Sequence, residues 1–228
     1  MTVVIGWATV ADAMTVVIAR RYGWAMQASD DSGGETPNRR RSPARARMVR
    51  SAATLMRERG IHGVGLREIV VHSGGPRGSL GRYFPGGKTQ LMTEAIDVVS
   101  GEIAAEVDEA LTQAKTFPEA IGAIIAPWRR LLVDHDFALG CPLAATVVDA
   151  ADNDQLRVHV NELLTQWQVT VADVYRRFGD PPSAAQQQTT VLLAAIEGAV
   201  ILARARRSIE PLDTVERYFA TRPPASEA

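Results

Sequence analysis

The run from Gly78 to Thr89, Gly-Ser-Leu-Gly-Arg-Tyr-Phe-Pro-Gly-Gly-Lys-Thr, holds the ingredients of phosphate chemistry. Glycines let an anion approach the backbone, and a lysine and a hydroxyl follow them. A nucleotide loop would need glycine five places before Gly87, where the chain has Arg82; Gly81 is one place off. Such a loop also follows a buried strand, whereas Leu80 belongs to a helical pattern. Lys88 is therefore expected to meet a different phosphate.

Other chemistry is sparse. Cys141 is the single cysteine, which excludes an internal disulfide and a thiolate metal cluster and fits a reducing cytoplasm. His62, His72, His135 and His159 show no metal-ligand spacing, and His62 and His159 are expected at the surface. No Ser/His/Asp or Cys/His arrangement is legible. The expectation is a non-enzyme without metal or other cofactor.

Charge identifies the partner class. Between Arg39 and Thr93 twelve Lys/Arg stand against two acids, a net charge of +10. From Glu94 onward the balance is -9, so the overall -1 hides a basic module joined to an acidic one. That asymmetry points to a polyanion at one end only.

The elements that position these residues read as all-α. Residues 1–41 are expected to be an extension, with Met26 as an alternative start, ending in a polar, basic arm through Arg39–Arg41. Val3 to Ile18 is apolar but contains Asp12, falls short of the ~20 residues of a membrane span, and lacks a basic n-region. No membrane association is expected. Ser42-Pro43 caps and opens a first helix that ends at Gly60, with Ile61 closing over the last turn. A second helix covers Leu66 to His72, and Ser73-Gly74-Gly75 makes a tight turn. Pro76 opens a third helix to about Tyr83, with Leu80 and Phe84 inward. Further helices are expected at about 89–115, 118–135, 143–151, 155–178, 183–208 and 211–220, separated by Gly/Pro breaks.

The second and third helices form a helix–turn–helix within an expected DNA-binding domain over residues 42–92, and residues 93–228 form a larger, acidic helical domain. Arg77, Ser79, Arg82 and Tyr83 are the outward residues of the third helix, with Arg77 placed to pair guanine. Lys88 in a first helical turn opposes the macrodipole at a cost of about 0.3–1 kcal/mol, which a DNA phosphate would offset.

Leu66-Arg-Glu-Ile69, Gly74-Gly-Pro-Arg-Gly-Ser-Leu80 and Arg82-Tyr-Phe-Pro-Gly-Gly-Lys88 resemble the DNA-binding domain of TetR-type repressors. The pattern looks like the antibiotic- and flavonoid-responsive subgroup, and Gly140-Cys-Pro-Leu143 and Glu197-Gly-Ala199 extend the likeness. The expected DNA-contacting set is Arg45, Arg67, Pro76, Arg77, Gly78, Ser79, Arg82, Tyr83, Lys88 and Thr89. Gly81 departs from the family's tyrosine, which contacts phosphate, and Gly65 and Gly75 depart from Ser/Thr and alanine; the three are expected to loosen the domain.

The resemblance implies a homodimer on a palindromic double-stranded DNA operator, released by a small effector. The apolar run Val191–Leu202 is expected to be buried on more than one side, with Ala195, Gly198, Ala199 and Leu202 at the two-fold interface. The pocket candidates are Trp128, Phe137, Cys141, Trp167, Val171, Tyr175 and Glu197, with Val174, Phe178 and Gln168 nearby. They suit a flat, largely apolar ligand. Two alternatives remain at this point: a helical ligand-binding dimer with weakened DNA binding, and a thiol-based redox sensor through Cys141.

Overall fold

The computed structural model describes residues 42–221 apart from 77, 150 and 151, so the expectations for the arm Arg39–Arg41 and for Arg77 lie outside it. Among the described residues there are nine helices and no strand: α1 Pro43–Arg59, α2 Leu66–His72, α3 Leu80–Tyr83, α4 Gly87–Gln113, α5 Phe117–Asp134, α6 Pro142–Asp149, α7 Asp154–Arg177, α8 Pro182–Arg206 and α9 Glu210–Ala220. The described residues fall within one compact unit.

The caps follow from sequence chemistry. α1 ends where Gly60 turns to φ +75° and its N–H reaches Met56 O, with Ile61 buried beyond. α5 begins with a capping box: Thr116 Oγ1 accepts from Glu119 N, and the Glu119 carboxylate accepts from the backbone of Thr116. Asn153 caps α7 by accepting from Leu156 N at 3.1 Å. Ser42 departs from its expected role. It occupies the N-cap of α1 without bonding the helix backbone, and its hydroxyl donates to Tyr83 Oη at 3.1 Å.

The third helix is shorter than expected. Pro76 lies outside it because Gly78 takes φ +83°, which no continuing helix can accommodate. Ser79 closes the turn by donating from its N–H and hydroxyl to Pro76 O.

α4 runs unbroken from the helix–turn–helix into the helical bundle and packs against α1, α5 and α7. Its buried face carries Leu91, Met92, Ala95, Ile96 and Val99. α7 and α8 form an antiparallel pair closed by Phe178–Pro181, with α9 folded back over α5 and α8. Arg129 of α5 ties α9 down by donating to Asp213 (2.7 Å) and Glu216 (2.5 Å).

α8 is long and apolar enough, by length and composition alone, to cross a membrane, a test that core helices of soluble proteins also pass. Its inner face, with Leu192, Ile196, Ala199, Val200 and Ala203, is buried within the chain. The opposite face is exposed, so α8 is not buried all round as its composition suggested.

His159 is half-buried and paired rather than a free surface residue. Its Nε2 lies 2.6 Å from Asp97 Oδ1, joining α7 to α4, and that hydrogen bond raises its pKa against the opposing effect of burial. A folded pKa above the unfolded one gives stabilisation that is complete below the unfolded pKa and lost as pH rises through the folded pKa. The melting-temperature gap between the wild type and His159→Gln is therefore expected to be widest near pH 5.5 and to close by pH 8.5. A gap that widens with pH would contradict the pairing.

Candidate nucleic-acid interface and effector site

The turn between α2 and α3 is built by one serine and one left-handed glycine. Ser73 Oγ donates to Val70 O and accepts from Gly75 N, while Gly74 takes φ +60°. Arg47 Nε braces the turn from α1 by donating to Ser73 O at 3.1 Å. Gly75 has a packing reason, because a Cβ there would run into the Sδ-methyl end of Met48, which is fully buried. At Gly65 and Gly81 a Cβ would meet open space.

A basic edge surrounds this turn. Arg67, Pro76, Gly78 and Arg82 are exposed, and Ser79, Lys88 and Thr89 are half-buried. Arg67 and Lys88 form no ion pair with a described residue, and Arg82 lies over the Tyr83 ring at 5.3 Å from its centroid. Unpaired cations on one edge are ready to exchange counterions for phosphates.

Two expected DNA contacts turn inward instead. Tyr83 is 6% exposed, its hydroxyl taken by Ser42 and its ring set edge-on to Phe84. Arg45 donates to Glu94 at 2.6 Å, sits 4.8 Å from the Phe84 ring centroid and reaches Tyr83 O. Glu94 also accepts from Gln90, whose Oε1 accepts from Gly86 N. Arg45 and Tyr83 therefore hold α1, α3 and α4 together; their charge and hydroxyl are already used.

The second candidate site lies in the helical bundle. Trp128 of α5 and Trp167 of α7 meet edge-on, with centroids 5.6 Å apart, and the buried Trp128 Nε1 finds no acceptor among the described residues. Cys141 is buried against Glu197 of α8. Burial raises the Glu197 carboxyl pKa, and burial together with that carboxyl pushes the Cys141 thiol well above its ordinary value. Val171 is fully buried one turn beyond Trp167. Tyr175 belongs to a separate cluster, 5.4 Å from the Phe117 ring, which also meets Phe178.

Phe137 stands in the loop before α6, where Asp136 and Phe137 both take left-handed φ (49° and 60°). This strained loop is held from two sides. Arg57 of α1 donates to Gly140 O at 3.0 Å and accepts from Gly140 N on its own carbonyl. Arg204 of α8 donates to Ala138 O at 2.9 Å, and Arg207 pairs with Asp136.

Comparison with known proteins identifies this architecture. The profile of bacterial regulatory proteins of the tetR family matches residues 49–95, and that of the LmrA/YxaF-like transcriptional regulator C-terminal domain matches residues 118–218. An uncharacterised HTH-type transcriptional regulator of Mycobacterium tuberculosis (strain H37Rv) is 40% identical over 181 residues, covering 77% of this chain and 91% of the relative. The chain belongs to the TetR family of transcriptional regulators. The HTH-type transcriptional regulator LmrA of Bacillus subtilis is 27% identical, covering 74% of this chain and 90% of that one. The regulatory protein TetR from Rhodobacter sphaeroides shares the fold at TM-score 0.72 and 21% identity, over 78% of this chain and 98% of that chain.

As a TetR-family member the chain is a DNA-binding transcriptional regulator, and its helix–turn–helix is α2–α3. One apolar face of α8 is left exposed. On α8, Val191 (55%), Ile201 (65%) and Leu202 (46%) are exposed with Ala194 and Gly198, at spacings that form one stripe. Ala195 is half-buried beside it. Ala199 is only 3% exposed and packs inside its own chain, so it does not belong to that stripe.

Proposed function

We propose that this regulator is a cytoplasmic repressor of the LmrA/YxaF-like subgroup, a homodimer that leaves a palindromic operator when a small, largely apolar ligand enters the bundle. Glu197 carries the ligand part of this reading. It is a half-buried carboxyl with a raised pKa, in contact with the Cys141 thiol and without an ionic partner among the described residues, in the same helical half as the Trp128–Trp167 pair. Such a group orients a ligand that offers a hydrogen-bond donor or a cation, while the aromatic edges supply flat apolar contact. Release follows as a population shift, the ligand favouring the dimer whose α2–α3 units no longer match the half-sites.

Arg67, Arg82, Lys88 and Thr89, with Pro76, Gly78 and Ser79 at the turn, form the DNA edge in this reading. Unpaired cations there argue against a chain that has lost DNA binding. The thiol reading is weakened by burial, because a protonated Cys141 is a poor nucleophile.

Ligand release is tested by screening flat aromatic compounds for thermal stabilisation, then adding each hit to a complex with duplex DNA enriched from a random pool. Hits are expected to dissociate the wild-type complex and to act far more weakly on Glu197→Ala. Hits that stabilise the protein and leave the complex intact would sink the release mechanism.

Gly81 gives a separate test. Its side is open and its φ is ordinary, so Gly81→Ala is expected to stabilise the protein by about 0.5–1 kcal/mol. Gly81→Tyr is expected to tighten DNA binding by about tenfold through a phosphate contact, read by fluorescence anisotropy. Unchanged affinity would remove position 81 from the DNA face.

A further inference from the structure

Asn153 makes two hydrogen bonds with opposite polarity. Its Oδ1 accepts from Leu156 N, capping α7, and its Nδ2 donates to Thr89 Oγ1 at 3.1 Å in the first turn of α4. The first bond fixes the second: a backbone N–H can only donate, so the amide oxygen faces Leu156 and the NH2 must face Thr89. Thr89 therefore uses its oxygen as an acceptor. Its hydroxyl proton meets no acceptor among the described residues, and the neighbouring Lys88 ammonium is likewise unpaired.

We infer that Asn153 is a positioning residue for DNA binding: by donating to Thr89, it leaves the threonine hydroxyl proton and Lys88 aimed together at one backbone phosphate. This rests on the reading of Lys88–Thr89 as part of the DNA edge. The amide holds the Thr89 oxygen in place, and a hydroxyl that accepts from a donor becomes a stronger donor itself. A charge-assisted bond to phosphate then gains from that polarisation. Asn153 is also the first fixed point of α7, the helix that carries Trp167 and Val171, so a shift of α7 displaces Thr89 directly.

Substitution separates the cap from the contact. Serine and aspartate cap helices as well as asparagine does, so Asn153→Ser and Asn153→Asp are expected to keep Tm within about 2 °C of the wild type. Serine is too short to reach Thr89. Aspartate reaches it but only accepts, which turns the threonine proton away from DNA and adds a carboxylate to the run Asp152–Asp154.

The experiment measures anisotropy on duplex DNA enriched by the wild type from a random pool, at about 50–200 mM salt. Asn153→Ser and Thr89→Val are each expected to weaken binding by about tenfold, and Asn153→Asp by more. The double variant Asn153→Ser/Thr89→Val is expected to bind no worse than Thr89→Val alone. Wild-type affinity for Asn153→Ser beside a weakened Thr89→Val overturns the inference and leaves the DNA edge standing. Two losses that simply add also overturn it. Wild-type affinity for Thr89→Val removes Thr89 from the DNA edge and takes the role of Asn153 with it.

Discussion

Replacing Ile201 by glutamate is expected to give a folded monomer that no longer binds operator DNA. Ile201 is 65% exposed on the outer face of α8, in line with Val191, Ala194, Gly198 and Leu202. Among the described residues of one chain nothing packs against this stripe. A second copy related by a two-fold axis would cover it, and Gly198, whose missing Cβ leaves open space, lets the two helices approach closely. Glutamate at 201 would place an unpaired carboxylate in that contact twice, once from each chain, at a cost of several kcal/mol per buried charge. Helix–turn–helix readout depends on two half-sites held at fixed spacing, so loss of the dimer should lower operator affinity by about a hundredfold or more. Because the site is exposed in one chain, the melting curve of the monomer should remain cooperative. Sedimentation and a gel shift on one preparation read both effects. A dimer that persists in Ile201→Glu would place the interface elsewhere.

Trp128→Ala is expected to cost about 3–5 kcal/mol, the range for truncating a large buried aromatic, and to lower Tm by roughly 10 °C for a chain of this size. The side chain is 5% exposed and supports Trp167 across the α5–α7 contact. Trp128→Phe should behave quite differently. The indole N–H is buried without an acceptor among the described residues, which costs about 1–3 kcal/mol, and phenylalanine removes that group while keeping most of the apolar contact. The two effects nearly cancel, so Trp128→Phe should hold Tm close to the wild type. A fall as large as that of Trp128→Ala would show that the indole nitrogen has a partner in solution.

Much of this architecture was legible because punctuation in the sequence is strong. Gly60, Thr116-Phe-Pro, Gly140-Cys-Pro and Gly179-Asp-Pro-Pro each end or begin a helix within two residues of the expected position. The third helix was misjudged because Pro76 and Ser79 are good helix openers in isolation, whereas Gly78 adopts a left-handed turn between them. Tyr83 was placed outward, and Arg45 among the DNA contacts, from residue type. Their direction is decided by partners far away in sequence: Ser42 for the tyrosine and Glu94 for the arginine. Ala199 was misplaced for a related reason. On an almost wholly apolar helix, composition cannot say which face packs within the chain.

The residues that sequence reasoning missed follow the same rule. Asn153 three places before Leu156 is an ordinary capping signal, but its second bond crosses from α7 to α4 and has no local signature. Arg57 and Arg204 grip the 136–141 loop by donating to its backbone carbonyls, which carry no side-chain pattern. His159 was read as a surface residue because Asp97 lies 62 residues earlier in the chain.

The most direct test of the account is selection of duplex DNA from a random pool by the wild-type protein, followed by stoichiometry and affinity at several salt concentrations. The account predicts enrichment of one sequence with two-fold-related half-sites, bound by two chains per duplex. Its affinity should fall linearly on a log–log salt plot and exceed that for random duplex by at least about a thousandfold. Enrichment of no sequence, with equal affinity for every duplex, would contradict it.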